Sequence, residues 1–149
     1  MADTFALDIS KFVEKAGGNV KQVVRKVGTS ILSSVVSRTP VGNPKLWKSK
    51  PPAGYIGGRL RANWNVSFYY PDQSTFLYRD QSGAPTIQRG IKVMNGWDGV
   101  ADIYVMNSLP YVRTIEYDSH SSQAPAGMVR ITVTEFDTFI QQAVAELPK

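Results

Sequence analysis

The sequence contains no cysteine and only one histidine among its 149 residues. The absence of cysteine excludes disulfide bonds, thiolate metal sites and a cysteine nucleophile. The sequence also lacks the run of about eighteen apolar residues that a membrane-spanning helix needs, so we expect no membrane contact. The first fifteen residues mix charges with apolar residues, and we expect no signal peptide. A chain of this length can bury a core without covalent staples, which predicts a single domain spanning residues 1–149.

Residues suited to catalysis are scarce. The one histidine, His120, lies in a serine-rich stretch, and we interpret it as an ordinary loop histidine rather than a general base. Asp98 and Asp102 are four residues apart across a glycine turn. They could bind a cation, but the simpler interpretation is the polar beginning of a strand. The sequence therefore predicts no enzyme activity, no catalytic residue, no cofactor and no metal site.

The net charge of +5 conceals an uneven distribution along the chain. Residues 1–61 hold eleven Lys and Arg and three acidic residues, which gives a net charge of +8. Residues 62–149 hold six Lys and Arg and nine acidic residues, which gives a net charge of −3. Such polarity suits a surface that binds nucleic acid. It suits equally well a head-to-tail contact between copies, in which the basic part of one subunit meets the acidic part of the next.

The stretch from Arg38 to Asn65 is unlike the sequence on either side of it. It holds four prolines, four glycines and no acidic residue. Because proline restricts φ and glycine permits positive φ, we predict a long loop over residues 40–62, either mobile or ordered on binding. Loops of this length in a compact domain are usually functional or disordered. Cations alternate with aromatic residues along it: Lys45, Trp47, Lys48, Lys50, Tyr55, Arg59, Arg61 and Trp64.

This alternation suits two functions. Cations that neutralise phosphates and rings that stack on bases are the chemistry of nucleic-acid binding. Trp, Tyr and Arg are also the residues that dominate protein interfaces. Composition leaves the two interpretations nearly even, with a slight preference for protein contact because the predicted helices contain no recognisable nucleic-acid-binding motif.

Helical patterns precede the loop. Asp8 or Ser10 is placed to cap a first helical segment, which Gly17-Gly18 would weaken or kink. From Val20 to Val36, apolar residues recur at spacings of three and four, which predicts an amphipathic helix that ends before Pro40. Whether the two segments form one continuous helix stays open. The apolar positions of the second segment are Val20, Val23, Val24, Val27, Ile31, Leu32, Val35 and Val36.

Alternating apolar residues after the loop predict two strands, one from Asn63 to Tyr70 and one from Ala101 to Asn107. If they pair, they form a small antiparallel sheet. Between them, the spacing of apolar residues permits a short helix from about Thr86, closed by Asn95-Gly96. A single helical turn is expected within the segment from Pro110 to Tyr117.

The C-terminal segment allows two interpretations. Apolar residues at alternating spacings of four and three favour one helix from about Ala126 to Leu147. The alternative is a strand over Val129–Val133, with Thr134 capping a shorter helix. We prefer the continuous helix because the spacing persists over three turns. The predicted fold is α+β: a small antiparallel β-sheet packed against a long N-terminal helix and a C-terminal helix, with a long basic loop rich in Pro and Gly.

Several short segments occur in the same order as in one known family: RTPV at 38–41, GRLRANW at 58–64, YVMN at 104–107, LPY at 109–111, IEY at 115–117 and QAPAGMV at 123–129. Together they resemble the signature segments of tailed-phage neck proteins, the tail-completion class that resembles lambda minor tail protein Z. The chain departs from that pattern in two places. An insert from Gly42 to Gly57 replaces a short connection, and Asp118 stands where the family has glycine.

The resemblance implies a structural virion protein at the head–tail junction, made in the host cytoplasm and assembled as a ring around the genome exit channel. A hexamer would suit such a ring. The implied partners are copies of the chain itself and neighbouring neck, head-completion, tail-terminator or tail-tube proteins, and the ring could contact genomic DNA nonspecifically. The alternatives are a basic DNA-binding module and a tail-terminator ring protein.

The predicted assembly interface combines residues of the long loop with a second group near residue 115. The second group supplies candidate acceptors or core anchors, and Trp64 and Tyr111 suit the core equally well. We also expect Arg59→Glu together with Arg61→Glu to leave the monomer folded but to abolish ring formation or tail joining. The interface residues are Trp47, Tyr55, Arg59, Arg61, Trp64, Tyr111, Glu116 and Tyr117.

Overall fold

The structure, a computed structural model, describes residues 19–148. The helical segment predicted from Asp8 or Ser10, with its weak point at Gly17-Gly18, lies outside the described residues. The elements, in chain order, are α1 (Val20–Arg38), a 3-10 turn (Pro44–Leu46), α2 (Arg59–Ala62), β1 (Asn65–Phe68), α3 (Ala84–Asn95), β2 (Ile103–Met106), α4 (Val112–Tyr117), α5 (Val129–Val133) and α6 (Phe136–Ala145).

Helix α1 is the element against which the others pack. Its apolar stripe is buried on both α3 and α6, which confirms the amphipathic helix that the spacing predicts. The helix ends at Arg38, and the backbone of the next residue, Thr39, is extended because Pro40 follows it. The Thr39 hydroxyl donates to the Val35 carbonyl at 2.6 Å and accepts the indole N–H of Trp64 at 2.7 Å. This end of α1 is therefore tied directly to the chain that leads into the sheet.

The sheet has two antiparallel strands, with Val66 paired to Val105. The predicted pairing is confirmed, but both strands are shorter than predicted. β1 begins only at Asn65, because the carbonyls of Ala62 and Trp64 accept hydrogen bonds from the Arg89 guanidinium instead of a neighbouring strand. It ends before Tyr69, whose φ of 65° lies in the left-handed region.

Helix α3 begins at Ala84, two residues before the predicted start, with Pro85 in its first turn. The Asp80 carboxylate accepts the backbone N–H groups of Gly83 at 2.7 Å and Thr86 at 3.0 Å, and the Thr86 hydroxyl at 2.6 Å. A carboxylate at this place satisfies amides that have no partner within the helix and complements the helix dipole. The segment before α3 is fixed by the same contacts.

The prediction of one continuous C-terminal helix is wrong. The segment forms two helices, α5 and α6, and the chain turns at Thr134 and Glu135. The alternative strand over Val129–Val133 is also wrong, since these residues are helical. The Thr134 hydroxyl donates to the Ile131 carbonyl, and Arg38 at the end of α1 forms an ion pair with Glu135. Threonine hydroxyls that bond nearby carbonyls compete with helix continuation, and the ion pair fixes the turn against α1.

The buried apolar residues form two clusters, one at each half of α1. The first is formed by α1, α2, α3, the sheet and the segments around Leu109 and Met128. The second lies between the N-terminal half of α1 and α6. The architecture is α+β, with helices packed on a two-stranded antiparallel sheet, as predicted. Within residues 19–148, no helix is long and apolar enough to cross a membrane.

Gly90 determines how closely α1 and α3 approach each other. A Cβ atom at this position would lie 2.2 Å from Cδ2 of Leu32 and 3.1 Å from Cγ2 of Val66. We predict that Gly90→Ala lowers the free energy of unfolding by about 1–3 kcal/mol because it overpacks the core. Urea denaturation measures the change. Gln88→Ala, on the exposed face of the same helix, is the matched control, and equal midpoints for the two variants would contradict the prediction.

Candidate functional site

An open groove of about 970 Å³ lies beyond the C-terminal end of α1. Several segments that are distant in sequence meet there, and we call the cavity the basic groove. Its walls come from the first half of the long loop, from the residues around Tyr55 and α2, and from two segments of the C-terminal half. The lining residues lie within 40–49, 55–60 and 120–123, together with Arg79, Tyr111 and Ile115.

The long loop is folded by contacts of its own. The Asn43 side chain accepts the backbone N–H of Lys45 at 3.1 Å and caps the 3-10 turn that begins at Pro44. Gln123, from the other wall of the groove, bonds both the N–H of Val41 at 3.2 Å and its carbonyl at 3.0 Å. The predicted loop over residues 40–62 is therefore correct up to residue 58. Its last four residues, 59–62, form helix α2 instead.

The two ends of the insert meet at a pair of glycines. A Cβ atom on Gly57 would lie 2.3 Å from the carbonyl oxygen of Gly42, and one on Gly42 would lie 2.0 Å from the hydroxyl of Tyr55. Only glycine permits so close an approach of two backbones. Tyr55 in turn contacts Trp47, with ring centroids 4.6 Å apart and planes tilted by 54°. These contacts position Trp47 and Tyr55, two of the predicted interface residues, in the wall of the groove.

The groove concentrates positive charge. Lys48, Arg59 and Arg79 line it, and none of the described residues that line it carries a carboxylate. Arg59 is held by a hydrogen bond from its Nε to the Phe76 carbonyl at 3.2 Å. Uncompensated cations in a concave surface attract anionic groups.

The phenol of Tyr111 lies among these charges. Burial raises the pKa of Tyr111, while the guanidinium groups of Arg59 and Arg79 act in the opposite direction and the phenol of Tyr55 adds to the rise. The side chain keeps its proton at neutral pH and can donate a hydrogen bond to an anion in the groove. Tyr111 is thus a lining residue rather than a core residue.

Arg61 does not belong to the groove. Its guanidinium donates to the carbonyls of Thr39 at 2.7 Å, Ser37 at 3.3 Å and Gln81 at 2.5 Å. Burial lowers the pKa of Arg61, and the nearby Asp80 carboxylate acts against this change. These bonds argue against the expectation that Arg61 tolerates reversal to Glu. A glutamate at this position would place its carboxylate against carbonyl oxygens and would destabilise the fold.

Trp64 occupies the core, one of the two places that the sequence allowed for it. Its side chain is buried, and its indole N–H is satisfied by Thr39. Tyr117 is exposed, and the guanidinium groups of Arg113 and Arg130 lie 5.7 and 5.1 Å from the centre of its ring. Neither residue lines the groove.

Glu116 is buried and caps α5. Its carboxylate accepts the backbone N–H groups of Met128 at 2.7 Å, Val129 at 2.9 Å and Arg130 at 2.9 Å. Burial alone would raise the pKa of Glu116, but these hydrogen bonds outweigh it and hold the pKa below its usual value. The carboxylate is therefore occupied within the chain and is not presented to a partner.

The groove residues that the sequence did not predict include Arg79, Gln123, Leu46 and Ile56. Arg79 and Gln123 lie in polar segments whose composition resembles any surface loop, and only the tertiary fold brings them opposite the long loop. Among residues 19–148, no group of three or more His, Asp or Glu side chains is placed to hold a metal ion.

Comparison of the chain with known protein families, curated proteins and solved structures finds no match.

We predict different costs for the two neighbouring arginines of α2. Arg61→Ala should lower the free energy of unfolding by about 3 kcal/mol, because it leaves three backbone carbonyls without their charged donor. Arg59→Ala removes one hydrogen bond and should cost about 1 kcal/mol. Chemical denaturation of both variants measures the two changes in the free energy of unfolding. A larger decrease for Arg59→Ala than for Arg61→Ala would contradict the prediction.

Glu116→Gln should lower the free energy of unfolding by about 1–3 kcal/mol at neutral pH, because an amide N–H₂ group then faces backbone N–H donors. Since folding lowers the pKa of Glu116, its contribution is complete above about pH 4.3 and is lost as the pH falls toward the folded-state value. The difference between the wild type and the variant should therefore shrink in acid. Asp118→Asn, at an exposed carboxylate, is the control. A constant difference across this pH range would contradict the assignment.

Proposed function

We propose that the chain is a structural subunit of the phage head–tail junction, which forms a tail-completion or neck ring through contacts with copies of itself and with neighbouring virion proteins. The observation that carries the proposal is the rim of the basic groove. There the long loop exposes large apolar side chains, while Gln123 bonds the beginning of the loop to the rest of the domain at Val41. The resemblance of six sequence segments to tailed-phage neck proteins supports the same function.

The rim is suited to burial against protein. The exposed fraction is 69% for Leu46, 53% for Ile56 and 40% for Trp47, and all three belong to one groove. Contiguous exposed apolar residues beside polar ones are typical of protein contact surfaces. Because Asn43 caps the turn at Pro44 and Gln123 bonds Val41, ordering this first part of the loop on assembly costs little conformational entropy.

A DNA-binding module is the second candidate, and the cations of the groove favour it. Lys48, Arg59 and Arg79 would neutralise phosphates, so affinity for DNA would fall steeply with salt. The aliphatic rim argues for protein, because Leu46 and Ile56 gain from burial against apolar groups but cannot stack on bases as aromatic rings do. A tail-terminator ring would use the same surface and differs only in its neighbours on the particle.

Light scattering of the purified chain at low and high salt, together with negative-stain images of particles labelled with an antibody to it, tests the proposal. We expect either a ring in solution or a monomer whose label lies at the head–tail junction. A stable monomer that is absent from particles would overturn the proposal, and salt-sensitive, stoichiometric DNA binding would then favour the second candidate.

The double variant Leu46→Ser with Ile56→Ser should weaken assembly without changing stability, because both side chains are exposed before assembly. We expect about a tenfold loss or more in self-association or in incorporation into particles, since burial of each side chain contributes roughly 1.5–3 kcal/mol. Val133→Ser, which removes another exposed apolar side chain outside the groove, is the control. Unchanged incorporation of the double variant would exclude the rim as a contact.

A further inference from the structure

A turn at residues 98–102 carries an apolar residue between two acidic ones. One oxygen of the Asp98 carboxylate accepts the backbone N–H groups of Val100 and Ala101, both at 2.9 Å, and Gly99 has a positive φ. The side chain of Val100 is 84% exposed at the tip, and Asp102 is exposed beside it. We call this segment the acidic turn.

The acidic turn and the basic groove lie at opposite ends of α1. Arg25, in the second turn of the helix, donates to the Trp97 carbonyl at 2.8 Å, and a Cβ on Gly99 would lie 3.6 Å from Cδ of Lys21. The groove begins at Pro40, directly beyond the other end. A helix of 19 residues is about 28 Å long, so one copy presents the two features to different neighbours.

The chemistry of the two features is complementary. The acidic turn offers an aliphatic tip and two carboxylates, and the groove offers the aliphatic side chains of Leu46 and Ile56 and several cations without a carboxylate. Hydrogen bonds from the backbone of the turn and from the Tyr69 hydroxyl lower the pKa of Asp98 to about 2, so this carboxylate is charged at neutral pH. The Lys21 side chain beside Gly99 reduces the charge of the turn but leaves Val100 uncovered.

We propose that the basic groove of one copy receives the acidic turn of a second copy, with Val100 against the apolar rim and Asp102 facing Arg79. This assignment rests on the proposed assembly function and names the surface of the partner. The contact is heterologous, because different surfaces of the two copies meet. Repeated head to tail, it closes into a ring when the rotation between copies allows.

A charge exchange in the full-length chain tests the pairing. Arg79→Glu and Asp102→Lys alter exposed side chains, and each alone places like charges opposite one another. Each should weaken self-association in sedimentation at low salt about tenfold or more, and it should weaken incorporation into particles equally if the wild-type chain is a monomer in solution. An equimolar mixture of the two variants should restore association, because every contact then joins opposite charges. The same double substitution within one chain should also restore it.

The controls are Lys92→Glu and Asp137→Lys, which reverse exposed charges outside both features and should leave association unchanged. Single variants that associate as the wild type does, or a mixture that stays dissociated, would overturn the pairing while the head–tail function stands. A wild-type chain that neither self-associates nor labels particles would overturn both. If Arg79→Glu instead abolishes binding of a single-stranded oligonucleotide and spares self-association, the groove is a nucleic-acid site and the pairing is wrong.

Discussion

The carbonyl groups at the C-terminal end of α1 are the constraint on which the rest of the structure depends. A helix leaves its last carbonyls without backbone partners, and here the Arg61 guanidinium takes those of Ser37 and Thr39 while also bonding Gln81. One side chain thus joins the end of α1, helix α2 and the segment that leads to α3. The groove forms where these three meet, so its geometry depends on a residue that does not line it.

The elements that follow a simple period could be predicted from the sequence. The stripe of α1 and the alternation around Val66 and Val105 predicted the main helix, the antiparallel pair and the α+β class. The break between α5 and α6 could not, because the apolar spacing continues through it. Two contacts interrupt the helix. The Thr134 hydroxyl bonds a nearby carbonyl, and Glu135 forms an ion pair with Arg38. Neither contact can be recognised from the spacing of apolar residues.

The candidate site was only half predictable for a related reason. The alternation of cations and aromatic residues in the long loop predicted a contact surface there, and Trp47, Tyr55 and Arg59 line the basic groove. Arg59 and Arg61 look equivalent in the sequence, yet one lines the groove and the other bonds backbone carbonyls. Glu116 likewise looked like an acceptor for a partner until the fold placed three backbone amides against it. Residue type indicates what a side chain can bind, whereas the fold decides what it has already bound.

The contact between Gly42 and Gly57 makes the segment between them an Ω-loop, closed at its neck and attached to the domain by two adjacent strands of backbone. Its length is then largely independent of the scaffold, because lengthening an already closed loop adds only a small entropy cost. A change in the length of residues 43–54 should accordingly leave α1 and α2 in place, while Tyr55 keeps its contact with Gly42. The contact between Gly42 and Gly57 is thus a position at which one loop sequence could replace another. Such a replacement would change the neighbour that the loop prefers while the rest of the domain stays the same.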